Sequence, residues 1–270
     1  MKKIGKEQVR KARQTLAKYK EGKAVLDKRI VSNEQWWKLR HWGEIGCDKD
    51  DTRPMPASAW LFNSLANKHA DAMDNIPEPT VLPREKSDEE VAKQLSLILP
   101  AILERCGYEK LYSDGWWYKL KNGSMCTAVV WDPDADGGMG DIAIRNADIL
   151  NLFWEPGIKD IEESANLFYV TLVDRERLNL MYPELLGEDT ESVAGGTGNV
   201  EKYKTEDKTD DSAKVEVIDW YYKKTINGRK QLCYCKFCGD RVIYSSEDDE
   251  SCADGFYKHS RYPFVMDTLF

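Results

Sequence analysis

The sequence predicts an α+β protein in which N-terminal helices pack on a small, antiparallel, β-rich domain. In the first half of the chain, apolar residues recur at helical spacing. In the second half, extended runs alternate apolar and polar residues on either side of turn-forming sequences, which is typical of hairpins. The strongest of these turn signals, Asn227-Gly228, lies between the extended runs 215–226 and 231–237.

The composition is that of a soluble globular protein. The chain of 270 residues has a mean hydropathy of -0.61, and 32% of its residues are charged. No apolar run approaches the roughly 20 residues that a membrane-spanning helix needs, and Met1-Lys2-Lys3 does not introduce a signal peptide. Seven cysteines, an odd number, then indicate thiols in a reducing compartment rather than a disulfide framework.

Positive charge is concentrated at the N-terminus. Residues 1–30 contain eleven Lys or Arg and three Asp or Glu, a net +8 (11 − 3), so the remainder carries −16 of the total of −8. Such an arm could contact nucleic acid or an acidic partner. We favour a solvated, fraying helix, since Val9, Ala12, Leu16 and Tyr19 lie at helical spacing. The acidic remainder argues against a protein whose whole surface binds DNA.

The segment 32–42 contains three tryptophans, Trp36, Trp37 and Trp42. A helix here would place Trp36 and Leu39 on one face, which would be ordinary packing. Tryptophans this dense could equally contact a neighbouring subunit, and both interpretations stay open. Residues 43–56 are polar and rich in turn formers, so we interpret them as a linker or a long loop.

A helix over residues 58–76 is predicted by an apolar stripe. His69 lies near this stripe, and we expect it to be a packing residue rather than a ligand. Prolines 77, 79 and 83 then impose an extended linker. The stripe consists of Leu61, Leu65, Ala72 and Ile76, with Phe62, Ala66 and Met73 beside it.

The next helix is predicted to begin at a capping box formed by Ser87 and Glu90. We expect Pro100 to kink this helix and Gly107 to cap its end. For residues 108–123, a helix and a hairpin across an Asn-Gly turn are both open, and the helix is favoured. The buried face of the helix after Ser87 is expected to consist of Val91, Leu95, Ile98 and Ile102.

The strands are predicted to begin with a hairpin made of residues 127–131 and 141–145, joined by a turn rich in Asp, Pro and Gly. Its Val129, Trp131, Ile142 and Ile144 alternate as a half-buried surface requires. An apolar segment at 149–154 then stops at Glu155-Pro156-Gly157.

Further strands are predicted along the rest of the chain. After the strand 167–173, Asp174 is expected to cap a short helix that ends at Tyr182-Pro183. Residues 184–213 contain few apolar residues, so we expect a mobile loop. The remaining predicted strands are 215–226, 231–237 and 241–245, followed by an extended C-terminal segment.

Two patterns have the spacing of metal sites. Residues 132–137, with Asp at 132, 134 and 136, match the first half of a calcium-binding loop. The twelfth position is Ala143 instead of a bidentate Glu, so we interpret them as an acidic turn. Cys235 and Cys238 have zinc-knuckle spacing, and Cys252 and His259 could complete a Cys3His site. Buried or half-exposed thiols on a hairpin are the favoured alternative.

Catalytic motifs are missing from the sequence, which contains no Walker A loop, GxSxG, HExxH or Rossmann fingerprint. We therefore expect no enzyme activity, no catalytic or cofactor-binding residue, no cofactor and no metal.

The segment 126–157 resembles the portal proteins of tailed bacteriophages. The resemblance rests on a strand ending in Trp131-Asp132, a Gly-rich loop, the strand start Gly140-Asp141-Ile142, and Phe153-Trp154-Glu155-Pro156-Gly157. The same family order places a helix at 108–123. Similar motifs on either side are the run 75–85 with the helix after it, Tyr182-Pro183, and Tyr262-Pro263-Phe264-Val265.

The resemblance implies a structural subunit of a ring, typically a dodecamer, at one vertex of the phage capsid. Such a ring serves head assembly, DNA packaging and ejection, and head-tail joining. Its partners would be capsid and scaffold proteins, the terminase motor, tail adaptors and double-stranded DNA in the channel, with no membrane. The protein would be found in the virion, after assembly in the cytoplasm of the bacterial host.

Within such a subunit, this chain would supply the N-terminal, wing part, and the stem would follow Phe270. An alternative function is a zinc-ribbon adaptor that uses Cys235, Cys238, Cys252 and His259 and binds nucleic acid through the basic arm. The predicted segments are a basic helical arm and linker (1–56), a helical segment (57–123), a β-rich wing core (124–183), a mobile acidic loop (184–213) and a β-hairpin region (214–270).

Overall fold

A computed structural model of the chain confirms the predicted α+β fold class. The described residues are 4–42, 54–183, 214–226 and 228–269. Their helices are α1 (Lys6–Trp37), α2 (Trp60–Met73), α3 (Glu89–Arg105), α4 (Tyr108–Asn122) and α5 (Arg175–Met181). Their strands are β1 (Ser124–Asp132), β2 (Asp141–Ala147), β3 (Leu152–Phe153), β4 (Asn166–Asp174), β5 (Lys214–Ile226), β6 (Arg229–Cys238), β7 (Arg241–Ser245) and β8 (Phe264–Thr268). Among these residues, no helix combines the length and the apolarity needed to cross a membrane.

The chain forms two compact units, and each is built from separate parts of the sequence. The first unit contains Met1–Val31 and Asp148–Tyr262, and the second contains Ser32–Ala147 and Pro263–Phe270. The predicted mobile loop 184–213 lies outside the described residues, as does most of the predicted linker 43–56. The division of the sequence into five segments remains a prediction.

The first unit contains a five-stranded antiparallel sheet with the order β3-β4-β5-β6-β7. Strands β5 and β6 form the predicted hairpin, in which Ile226 pairs with Arg229. Asn227 itself lies outside the described residues. The paired residues Ile226 and Arg229 are separated by only two positions in the sequence, which is the spacing of a tight hairpin.

Both faces of this sheet are covered by helices. On β5, Ile218 and Tyr222 belong to the core shared with α1, whereas Val215 and Val217 pack with Leu178 of α5 on the other side. The predicted alternation along β5 is therefore confirmed. The core on the α1 side consists of Ile4, Val9, Ala12, Leu16, Tyr19, Phe153, Phe168, Val170, Ile218, Tyr222, Cys233, Cys235 and Phe237.

Helix α1 does not fray into solvent, so that part of the prediction was wrong. Val9 and Leu16 are 0% and 4% exposed, and the buried face continues through Lys23 and Asp27 to Ile30. These residues recur every three or four positions, which keeps them on one side of the helix. Tertiary packing of that side on the sheet stabilises a helix whose sequence alone is mostly polar.

The second unit contains a three-stranded antiparallel sheet with the order β2-β1-β8. Strands β1 and β2 form the predicted hairpin, with Trp131 opposite Ile142. Helix α4 packs on this sheet, and Asn146 Nδ2 donates a hydrogen bond of 2.8 Å to the carbonyl oxygen of Leu111. The favoured helix at residues 108–123 is thereby confirmed.

The predicted helix starts at Ser87 and Asp174 are correct in place but not in mechanism. The Ser87 hydroxyl donates to Asp88 Oδ1 at 3.2 Å instead of capping a helix, and α3 begins at Glu89 after a turn of 3-10 helix. Asp174 precedes α5 as expected, but its side chain makes no capping hydrogen bond. Gly107 follows the last turn of α3 with a φ of +66°, as its predicted capping role requires.

Candidate interaction surfaces

The four residues of the alternative zinc site do not come together. Cys235 and Cys238 both lie on β6, where residues three positions apart point to opposite faces of the sheet. Cys235 is packed in the core shared with α1, whereas Cys238 packs on the side of α5. The Cys3His hypothesis is therefore wrong, and in the described parts of the chain no three Cys, His, Asp or Glu side chains are grouped to hold a metal ion.

The environment of these thiols also disfavours metal binding. Burial raises the pKa of Cys235 to about 12 and raises the pKa of Cys238 above its ordinary value. A zinc ligand must be a thiolate, and both groups are neutral thiols near pH 7. The favoured interpretation, free thiols on a hairpin, is confirmed for both of them.

The acidic turn between β1 and β2 uses its carboxylates to shape the turn. Asp132 Oδ2 lies 2.5 Å from the Arg145 guanidinium, and Asp132 Oδ1 accepts a hydrogen bond of 3.2 Å from the backbone N–H of Asp134. Strands flank the turn on both sides. The interpretation of residues 132–137 as an acidic turn between two strands is confirmed.

His69 is a packing residue, as predicted. Its ring stacks on Trp117 with the centroids 4.0 Å apart, and its Nε2 lies 3.1 Å from the carbonyl oxygen of Ser113. Only 9% of the residue is exposed.

The tryptophans near the end of α1 divide between packing and exposure. Trp37 stacks on Phe62, with the ring centroids 4.7 Å apart, and lies 5.1 Å from Trp117. The helix ends at Trp37, and Leu39 has a φ of +59°, so the expected helical face shared by Trp36 and Leu39 was wrong. Packing therefore accounts for Trp37, and a subunit contact stays open for the exposed Trp36.

The exposed face of α3 is the face that the sequence predicted to be buried. Val91, Leu95 and Ile98 are 56%, 41% and 50% exposed, whereas Ile102, the fourth residue of the predicted face, is half-buried. The buried side contains Ala92 and Ser96 instead, and the Ser96 hydroxyl bonds both the N–H and the carbonyl of Val81. The prediction of the buried face was wrong because α3 turns Ser96, rather than its apolar stripe, towards the extended segment that contains Val81.

A second exposed apolar surface lies on the three-stranded sheet. Register places Val129, Trp131, Ile142 and Val265 on one face, and they are 37% to 60% exposed. The predicted alternation of the hairpin is confirmed, but this end of the face is open to solvent. Exposed apolar surfaces of this kind mark interaction sites.

The solvent-facing side of α1 is a charged surface that the sequence argument underestimated. It lies opposite the buried side of the helix, and we call it the basic face. Burial continues beyond Tyr19 to Lys23, Asp27 and Ile30, and the charges of Lys23 and Asp27 hid this continuation in the sequence. The basic face consists of the exposed residues Lys6, Arg10, Lys11, Arg13, Lys18, Lys28 and Arg29.

Comparison with known families supports the resemblance found in the sequence. The family model described as phage P22-like portal protein matches residues 70–258, which is 189 of the 270 residues (258 − 70 + 1). The chain belongs to the P22-like phage portal protein family. A search of curated proteins found no match.

Family membership confirms the portal prediction and fixes the general role. Portal proteins are structural components of the bacteriophage capsid and take part in DNA packaging. The matched residues include both hairpins and the motifs Trp131-Asp132 and Glu155-Pro156-Gly157. Helix α1, with its basic face, lies outside them.

Proposed function

We propose that this protein is a subunit of a portal ring at one capsid vertex, used in head assembly, DNA packaging and ejection, and head-tail joining. The observation that carries the proposal is the family match over residues 70–258. The exposed apolar residues of α3 and of the three-stranded sheet support it, since subunit contacts bury such surfaces.

The proposed ring is a homo-oligomer, typically a dodecamer. Its partners would be capsid and scaffold proteins, the terminase motor, tail adaptors and the double-stranded DNA that passes through the channel. We place its assembly in the cytoplasm of the bacterial host and its final location at the capsid vertex. It would act as a structural protein rather than as an enzyme.

Native mass spectrometry combined with negative-stain imaging of the natural protein tests this proposal. We expect closed rings with a central channel. Monomers or dimers in place of rings would contradict it.

A further inference from the structure

The basic face of α1 carries a strong excess of positive charge. Its seven exposed Lys and Arg residues are accompanied by only two exposed acids, Glu7 and Glu21, a net +5 (7 − 2). The rest of the protein is acidic, since the whole chain has a net charge of −8. Positive charge is thus concentrated on one side of one helix.

The basic face is held in a fixed position by the packing beneath it. Val9, Leu16 and Ile30 on the opposite side are each at most 4% exposed. From Arg10 to Arg29 the helix rises by about 28 Å, at 1.5 Å per residue. Measured along the axis of duplex DNA, one strand carries about eight phosphates in that length.

In the described part of the chain, five of the seven basic residues form no ion pair, although Arg10 lies close enough to Glu7 to help Lys11 lower the pKa of that carboxyl. Lys11 pairs with Glu7 at 3.0 Å, and Arg13 pairs with Asp240 at 3.1 Å. Within the part of the chain that the structure describes, no ion pair involves Lys6, Arg10, Lys18, Lys28 or Arg29. These five cations are therefore available to an external anion.

We propose that the basic face binds the phosphate backbone of double-stranded DNA, without regard to base sequence. Four of the seven cations are lysines, which are depleted in the cores of protein interfaces, and no aromatic residue is exposed between Lys6 and Arg29, so the composition of the face favours DNA over a protein partner. Between Lys6 and Arg29, the one large apolar residue exposed on this side is Val25, which is 80% exposed. A helix face lined with cations is instead typical of a surface that binds nucleic acid.

The contact goes beyond the proposed function, which requires DNA only in the channel, and it does not depend on ring formation. The acidic remainder of the chain repels DNA and confines the contact to this face. We therefore expect modest affinity with a steep dependence on salt.

Fluorescence anisotropy with two duplexes of unrelated sequence tests the proposal. Five phosphate contacts predict a slope of about −4.5 for log K against log salt, and hence about a 500-fold loss between 50 and 200 mM salt. Both duplexes should bind equally well. The variant R10Q/K18Q/K28Q/R29Q should reduce the slope to about −1 and weaken binding by about 100-fold or more at 50 mM salt. Glutamine preserves the helix, because its helix propensity is close to that of Lys and Arg.

The matched control is the variant R84Q/K93Q/K110Q/R177Q. It removes the same net charge from four exposed positions outside α1. We expect it to bind DNA with nearly the wild-type slope. Equal losses in the two variants would overturn the proposal, because they would report net charge alone. Circular dichroism and the Tm of each variant show that it is folded.

Two further outcomes separate this inference from the ring proposal. Wild-type rings that bind neither duplex would overturn the DNA contact alone. If the α1 variant then also failed to bind an acidic protein that the wild type binds, the basic face would be a protein-binding surface. DNA binding by a protein that forms no rings would preserve the contact and contradict the ring.

Discussion

Lys23 and Asp27 form a buried ion pair, one turn apart on the inner side of α1. The Lys23 Nζ lies 3.2 Å from Asp27 Oδ1, and each side chain is only 5% exposed. The same ammonium donates a hydrogen bond to the backbone carbonyl of Ile149 and lies 4.5 Å from the centre of the Phe153 ring. Charged as well as apolar contacts therefore hold the middle of α1 against the rest of the first unit.

We expect Lys23→Met to lower the free energy of unfolding by about 3–5 kcal/mol, because it leaves the Asp27 carboxylate buried without this cation. The double variant K23M/D27L should recover most of that loss, since it buries no charge. Chemical denaturation of the wild type, both single variants and the double variant measures the coupling. A double variant as unstable as K23M would show that the loss comes from packing.

Gly140 is predicted to be irreplaceable in the turn between β1 and β2. Its φ is +80°, and a Cβ at this position would lie 2.5 Å from Trp131 Cζ2. Gly140→Ala should cost about 2–4 kcal/mol, from the left-handed backbone and from the overlap with the indole. The control is Gly138→Ala, where φ is +93° but nothing lies within 4 Å of the added Cβ. Its cost in thermal unfolding should be only about 1–2 kcal/mol; equal losses would argue against the Trp131 contact.

Two carboxylates are shifted in opposite directions by their surroundings. Burial raises the pKa of Asp219, although Lys236 and the Tyr234 hydroxyl, which donates to Oδ1 at 2.5 Å, oppose the shift. Burial also acts to raise the pKa of Glu34. The ammoniums of Lys121 at 2.7 Å and Lys38 at 3.3 Å outweigh it and lower this pKa overall.

These shifts predict opposite dependences of stability on pH. The folded protein keeps the Asp219 proton longer, so the contribution of Asp219 to the free energy of unfolding falls as pH rises above about 3.9. Asp219→Asn should therefore gain stability relative to the wild type as pH rises through that range. Glu34 contributes stability above about pH 4.3, and this is lost as pH falls through its lowered pKa. Glu34→Gln should thus lose stability relative to the wild type near neutral pH and converge with it in acid.

Denaturation curves of the three proteins across the acidic range measure these differences. The two variants serve as each other's control, since each replaces one carboxylate by the matching amide. Differences from the wild type that change with pH in the same direction for both variants would contradict the assignment of the two shifts.

Trp37 and Trp60 provide a comparison of packed and exposed indoles. Trp37→Ala removes the stack on Phe62 and the contact with Trp117, and it should cost about 3 kcal/mol. Trp60 is 80% exposed, so Trp60→Ala should change stability by less than about 0.5 kcal/mol. Urea denaturation measures both. A large loss for Trp60→Ala would show that its indole is buried by another copy of the chain.

The sequence predicted best those elements that depend on near neighbours. The strand β7 was predicted at 241–245 and is found there, and the strands of both hairpins pair as expected. Residues 108–123 form the favoured helix. Turn chemistry and alternation act over a few residues, so they can be read without knowledge of the fold.

Burial was predicted less well, because it depends on partners that are distant in the chain. The apolar stripe of α3 suggested Val91, Leu95 and Ile98 as the inner face, but Ser96 binds Val81 and turns that stripe outwards. The cysteine spacing suggested a metal knuckle. A continuous strand, whose pleat separates Cys235 from Cys238, excludes it.

The sequence by itself determined the α+β class, the hairpins and the portal family, since these follow from patterns within short segments. Only the tertiary structure decided that α1 lies on the five-stranded sheet and that β8 pairs with β1, where Cys126 lies opposite Met266. Because α1 packs on the five-stranded sheet, its basic residues lie together on one fixed, solvent-facing side of the helix. The physical reason is that burial of apolar side chains is a property of elements brought together by the whole fold.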